Sequence, residues 1–110
     1  MKHAAGSVVM VDLGATPFGH EQVGLRPGII VSVQNGIALL IPLTSNSASL
    51  RFTSTLPISP SKENGLSTTS IALIFQLRAI DARRIIKTIG TLDTKTTRSI
   101  NKLLRAITTI

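Results

Sequence analysis

With 110 residues and no cysteine, the chain has room for one domain and carries no disulfide, thiolate metal site or thiol nucleophile. Twelve Lys or Arg against five Asp or Glu leave a formal net charge of +7, which favours an anionic partner such as nucleic acid, an acidic peptide or an anionic membrane. Hydrophobic residues make up 43%, enough for a packed core, yet no apolar run is long enough to span a bilayer, and Asp12 arrives before a signal-peptide core could form. The expectation is a soluble, cytoplasmic protein without a membrane partner. Phe18, Phe52 and Phe75 are the only aromatic residues, which counts against a single-strand binder that works mainly by base stacking.

Residues 1–6 read as a tail. Residues 7–13 form a first strand, so nearly continuously apolar that both of its faces are expected to be covered. A glycine-punctuated polar loop, 14–26, follows and delivers His20, Glu21 and Arg26 to the mouth of a second strand over 27–33. Pro27 biases Arg26 toward extended geometry, and the arginine is a permanent planar cation suited to phosphate. Asn35-Gly36 is the favoured pair for a two-residue hairpin, leading into a third strand over 37–43 that ends at a polar corner, Thr44-Ser45-Asn46-Ser47. Residues 50–55 alternate weakly like a strand. Pro57 and Pro60 are expected to break regular structure, and 59–65 reads as a surface loop. Residues 69–79 read as one long strand, favoured over a helix by β-branched residues and flanking turn signals. Residues 81–84 can make one helical turn before a short final strand over 85–89. Asp93 is placed to cap a terminal helix whose Ile100, Leu103, Leu104 and Ile107 share one face, with Lys95, Arg98, Lys102 and Arg105 largely away from it. A solvated surface is the plain reading of that basic face.

Five or six short strands and one closing helix predict a mainly β chain, folded as a small, strongly bent barrel with polar residues on loops at one rim. Two corners are expected to meet there, bringing together Arg26, His20, Glu21, Thr44 and Ser45. No zinc, calcium or P-loop pattern is present, and no metal or cofactor is expected. A Ser45–His20–Glu21 triad is conceivable, but no nucleophile-elbow pattern supports it. The alternative is a solvated loop with scattered polar side chains. Another option is metal-free RNA cleavage. RNA carries its own nucleophile, the 2′-hydroxyl, so a protein need only align it, accept its proton, protonate the leaving oxygen and neutralise the phosphate.

Val9-x-Val11-Asp12-Leu13, Thr16, Gly19-His20-Glu21-Gln22, Gly24, Arg26-Pro27 and Val31-Ser32 resemble the opening of the MazF/PemK/Kid toxins. Ile41-Pro42-Leu43-Thr44-Ser45 resembles that family's second motif. Gly65-Leu66, Ser70, Arg78-x-Ile80-Asp81 and Gly90-x-Leu92 resemble its C-terminal half, so the likeness runs in order along nearly the whole chain, 1–110, as one toxin domain. The resemblance implies an SH3-like barrel, a homodimer, and an endoribonuclease that cuts single-stranded RNA at short sequences without metal. It also implies a small antitoxin partner with an acidic, hydrophobic tail. By position, Arg26 and Thr44 match the family's phosphate-binding catalytic pair. His20, which only some members share, joins them as a candidate proton carrier. Glu21, Gln22, Ser45, Gln76 and Arg78 are the candidate RNA-binding residues.

Two departures stand out. The family commonly has an acid just before the glutamine matched by Gln76, proposed in some members as the general base, whereas this chain has Phe75. The task then falls to His20 or Glu21, or activity is reduced. The family's long loop between its second and third strands is also cut to Gln34-Asn35-Gly36, so target specificity does not carry over. The competing reading is a silent or weakened interaction protein of the same fold. Arg26-Pro27 and Thr44-Ser45 argue against a gyrase-poisoning relative.

Overall fold

The computed structural model describes residues 4–14 and 23–108. Among the described residues, seven antiparallel strands precede one helix: β1 Ser7–Asp12, β2 Leu25–Gln34, β3 Ile37–Thr44, β4 Thr55–Ile58, β5 Ser70–Leu73, β6 Arg78–Asp81, β7 Ile85–Thr91 and α1 Thr94–Thr108. They form one sheet in the order β4-β5-β3-β2-β1-β7, with β6 also paired to β3. The sheet curls like a barrel but does not close, because β4 and β7 lie at opposite ends of the order.

Continuous apolar runs arise because both faces of the central strands are buried. Neighbouring residues go to different cores. Val8, Ile29 and Ile41 join Leu43, Ala72, Ile74 and Ile100 in one. Val9, Ile30 and Leu40 join Val11, Leu13, Ala38, Ile80 and Ile85 in the other. This is the two-residue period of a strand with apolar matter on both sides. Asn35 and Gly36 take φ of 55° and 75°, the left-handed pair of a tight hairpin, and Gln34 faces Ile37 across it.

Three expectations are corrected. Residues 50–54 are not a strand, and Thr55 only opens β4. The Asn46 side chain accepts the Ala48 N–H at 3.0 Å and starts a 3-10 turn over Ser47–Arg51. Local side-chain bonding thus competes successfully with a ladder. Pro57 does not break β4 but sits within it, on an edge strand where a missing N–H is tolerated. Residues 69–79 are not one strand. β5 pairs with Leu43 and Thr44, β6 pairs with residues from Ile37 to Leu40, and a 3-10 turn over Ile74–Gln76 carries the chain between them.

Asp93 caps α1 by accepting the Thr96 N–H at 2.6 Å, and Ile100 is the helix residue driven fully into the core. Leu103 and Leu104 pack against the same cluster, whereas Ile107 is 39% exposed. Lys95, Arg98, Lys102 and Arg105 are exposed. No described helix is long and apolar enough to cross a membrane.

Candidate nucleic-acid cleft

The chain leaves β1 and re-enters β2 through a backbone clasp. Leu13 N–H donates to the Gly24 carbonyl at 2.9 Å, and Gly24 N–H donates to the Gly14 carbonyl at 2.6 Å. His20, Glu21 and Gln22 lie outside the described residues. Just past the clasp, the Nε of Arg26 donates to the Val23 carbonyl at 3.1 Å, which fixes the inner side of a half-buried guanidinium. Its remaining N–H groups are directed away from that bond by the planar fork.

Arg26 lines a cleft of about 460 Å3, bounded by Met10, Leu25, Pro27 and Leu43 on the strand side. Ser45, Ser67, Thr68 and Ser70 bring hydroxyls, and Lys87 brings a second cation. No Asp or Glu is among the described residues that line it. Two cations and several hydroxyls, with no acid among the described lining residues, suit a phosphodiester, whose charged oxygens need cations and donors around them.

Thr44 is buried at the end of β3, and its Oγ1 accepts the Asn46 N–H at 3.2 Å. A hydroxyl that accepts one bond still has a proton to donate. The next residue, Ser45, is exposed on the cleft. The start of β2 and the end of β3 meet because Gly28 pairs with Pro42, which brings Arg26 and Ser45 to one cleft. Thr44 is not among the described residues that line it, and residues 19–22 of the first corner lie outside the described residues.

Gln76 and Arg78 are elsewhere. With Phe75 and Leu77 they line a separate hollow, where the Phe75 ring lies 5.3 Å from the Phe52 ring and the Arg51 guanidinium sits 4.3 Å over Phe52. No grouping of three or more metal-ligating side chains occurs among the described residues.

Sequence reasoning missed Lys87, Ser67 and Thr68. Lys87 faces Met10, which faces Pro27, so β7, β1 and β2 present the three in one row. No local signal announces this, because the pairing of β1 with β7 joins opposite ends of the chain. The far wall is rigid. Asn64 is buried and accepts the N–H groups of Ser61 and Leu66 at 3.0 Å each, while its amide donates to the Ser59 carbonyl at 2.9 Å. Thr91 N–H then ties the loop to β7 through the Glu63 carbonyl at 2.8 Å.

The described charges away from the cleft are local. The side-chain bond from Arg83, 2.8 Å from Asp81, pulls the Asp81 carboxyl down to about 2. The Thr96 N–H holds Asp93 below its ordinary value.

The same architecture recurs in solved structures. MazF from Deinococcus radiodurans superposes with a TM-score of 0.78 at 20% identity, covering 96% of each chain. A mycobacterial endoribonuclease in complex with its cognate antitoxin gives 0.74 at 19% identity, over 96% of this chain and 93% of that one. The MazE–MazF complex from D. radiodurans gives 0.68 at 22% identity, over 94% and 92%. A comparison with curated proteins finds no sequence match. A model of the PemK-like, MazF-like toxins of type II toxin–antitoxin systems matches residues 4–108. With that match over nearly the whole chain, and with the fold shared, the chain belongs to the PemK-like, MazF-like toxin family of type II toxin–antitoxin systems.

Proposed function

We propose that this toxin is a metal-independent endoribonuclease that cleaves single-stranded RNA by attack of its own 2′-hydroxyl. The observation that carries the reading is the cleft that joins Arg26 to a set of hydroxyls with no Asp or Glu among its described lining residues. In the reaction the 2′-oxygen bonds to phosphorus and the bond from phosphorus to the 5′-oxygen breaks. The products are a 2′,3′-cyclic phosphate and a 5′-hydroxyl. Arg26 neutralises the phosphate as charge gathers on its oxygens, and Thr44 and Ser45 donate to the same oxygens. His20 takes or returns the proton, with Glu21 as the other carrier within that loop. Gln22, Gln76 and Arg78 hold flanking nucleotides.

The toxin acts as a homodimer and is restrained by an acidic antitoxin. The mycobacterial endoribonuclease and the D. radiodurans MazF in complexes with antitoxins support the second point. Residues 71–74 are buried within the protomer, so of the 71–77 stretch only Phe75 is markedly exposed and available to a dimer interface, together with Ile107 of α1.

Incubation with mixed-sequence RNA in excess chelator tests the reading. Cyclic-phosphate ends on cleaved RNA, and an intact DNA control, are the expected result. A protein that cleaves no RNA of any sequence would instead fit the silent interaction reading. Phe75, exposed at the position where the resemblance leads one to expect an acid, favours that reading.

A further inference from the structure

We propose that Lys87 forms a second phosphate subsite in the cleft, holding the backbone of a nucleotide that flanks the scissile one. The inference deepens the ribonuclease reading and rests on it for the identity of the strand. Lys87 is exposed, lines the cleft with Arg26, and has no ion-pair partner among the described residues. A cation without a described ion-pair partner, facing a cleft with no described acid in its lining, is positioned for an external anion.

The row Lys87–Met10–Pro27 sets the spacing. Two inter-strand steps separate β7 from β2, about 10 Å in all. A stacked strand advances 3.4 Å per nucleotide, so the span is about three stacked nucleotides and fewer unstacked ones. The Met10 thioether and the Pro27 ring line the same cleft as the two cations and give an apolar floor for a sugar or base edge. The cleft thus offers two cations and an apolar floor, the features that a nucleic-acid strand needs. Because Lys87 is remote from the scissile group, it adds binding energy to ground state and transition state alike.

The test uses the full chain and a mixed-sequence 2′-O-methyl RNA, which binds without being cut. Affinity is measured across a salt series for the parent, Lys87→Gln, Lys87→Arg and Lys102→Gln. The last removes the same charge from the outer face of α1. Lys87→Gln is expected to bind about fivefold more weakly at low salt and to flatten the log–log salt slope by about 0.7, the loss of one phosphate contact on a single strand. Lys87→Arg restores the slope, and Lys102→Gln leaves it unchanged. On cleavable RNA, Lys87→Gln raises KM several-fold with kcat nearly constant. Equal slopes for Lys87→Gln and the parent, or equal losses for Lys87→Gln and Lys102→Gln, would overturn the subsite, as would a parent that binds no oligonucleotide. A parent that binds with the Lys87-dependent slope yet cleaves nothing upholds the subsite while sinking the ribonuclease reading. A parent that cleaves while Lys87→Gln behaves like it does the reverse.

Discussion

The wall of the cleft opposite Arg26 is predicted to be intolerant of a single methyl group. Gly65 has φ of +69°, and a Cβ built there drives into the Ile89 carbonyl, 2.8 Å from its carbon. Gly36 supplies the control. Its φ is +75°, and a Cβ there meets nothing within 4 Å. Alanine at either position bears the left-handed penalty of about 1–2 kcal/mol. Gly65→Ala must also push the 61–65 loop off β7, and this breaks the 2.8 Å bond from Thr91 N–H to the Glu63 carbonyl. A stranded backbone group adds about 1–3 kcal/mol. The expected losses are therefore about 2–5 kcal/mol for Gly65→Ala and about 1–2 for Gly36→Ala, out of a total near 5–15 for a domain of this size. Urea unfolding monitored by circular dichroism reads the difference as a shift in midpoint at unchanged slope. If the two variants agree within about 0.5 kcal/mol, the loop yields freely and the rigid-wall argument is wrong.

Arg26→Ala should slow RNA cleavage by about a hundredfold or more, since a preorganised charge is removed from where negative charge develops. Thr44→Ala should cost less, because its hydroxyl is a neutral donor. Equal rates for Arg26→Ala and the parent in a gel-based cleavage assay would contradict the assignment. His20→Ala should remove the limb of the pH–rate profile at about pH 6–7 if the histidine carries the proton, and an unchanged profile would hand the role to Glu21. Asp93 releases its proton more readily when folded than when unfolded, so its contribution to stability is complete above its unfolded pKa and is lost as pH falls through the lower folded value. Asp93→Asn keeps a capping oxygen but should flatten stability below about pH 4, which acid titration of the thermal midpoint measures. Light scattering at micromolar concentration should give the mass of a dimer, and a monomer would count against the assembly.

Legibility followed how local the determining interaction is. The Asn35-Gly36 hairpin could be read because its backbone requirement is met within two residues. The first three strands and α1 could be read because periodic burial leaves its mark on any window. The start of the 50–55 stretch resisted because the Asn46 side chain, not hydrophobic alternation, starts the turn over Ser47–Arg51, and β4 resisted because Pro57 is tolerated on an edge strand. The 69–79 run resisted for the opposite reason. Its apolar residues suit a strand throughout, but β3 accepts it in two separate stretches, Leu43–Thr44 and Ile37–Leu40. Only the partner strand's register reveals the break, and no property of the run itself encodes it.

The site divides along the same line. Arg26 and Ser45 could be anticipated together because β2 and β3 form a hairpin, so the start of one must meet the end of the other. Lys87 lies in the final strand, and nothing in that strand's own sequence singles it out. Its meaning comes from Met10, nearly the whole chain away, which places it over the same floor as Pro27. The outcome has a physical logic beyond prediction. A chain of net charge +7 repels itself, and most of its cations, such as those on α1, relieve that by spreading into solvent. Arg26 and Lys87 instead share one concavity without a described acid to offset them. Holding two like charges in one cleft weakens the free protein, and the cleft is therefore poised to be stabilised by whatever anion fills it. The same repulsion that an RNA backbone would relieve is also relieved by an extended acidic segment, so substrate and antitoxin are expected to compete for these two cations. Rising salt should weaken both in proportion to the charges each neutralises.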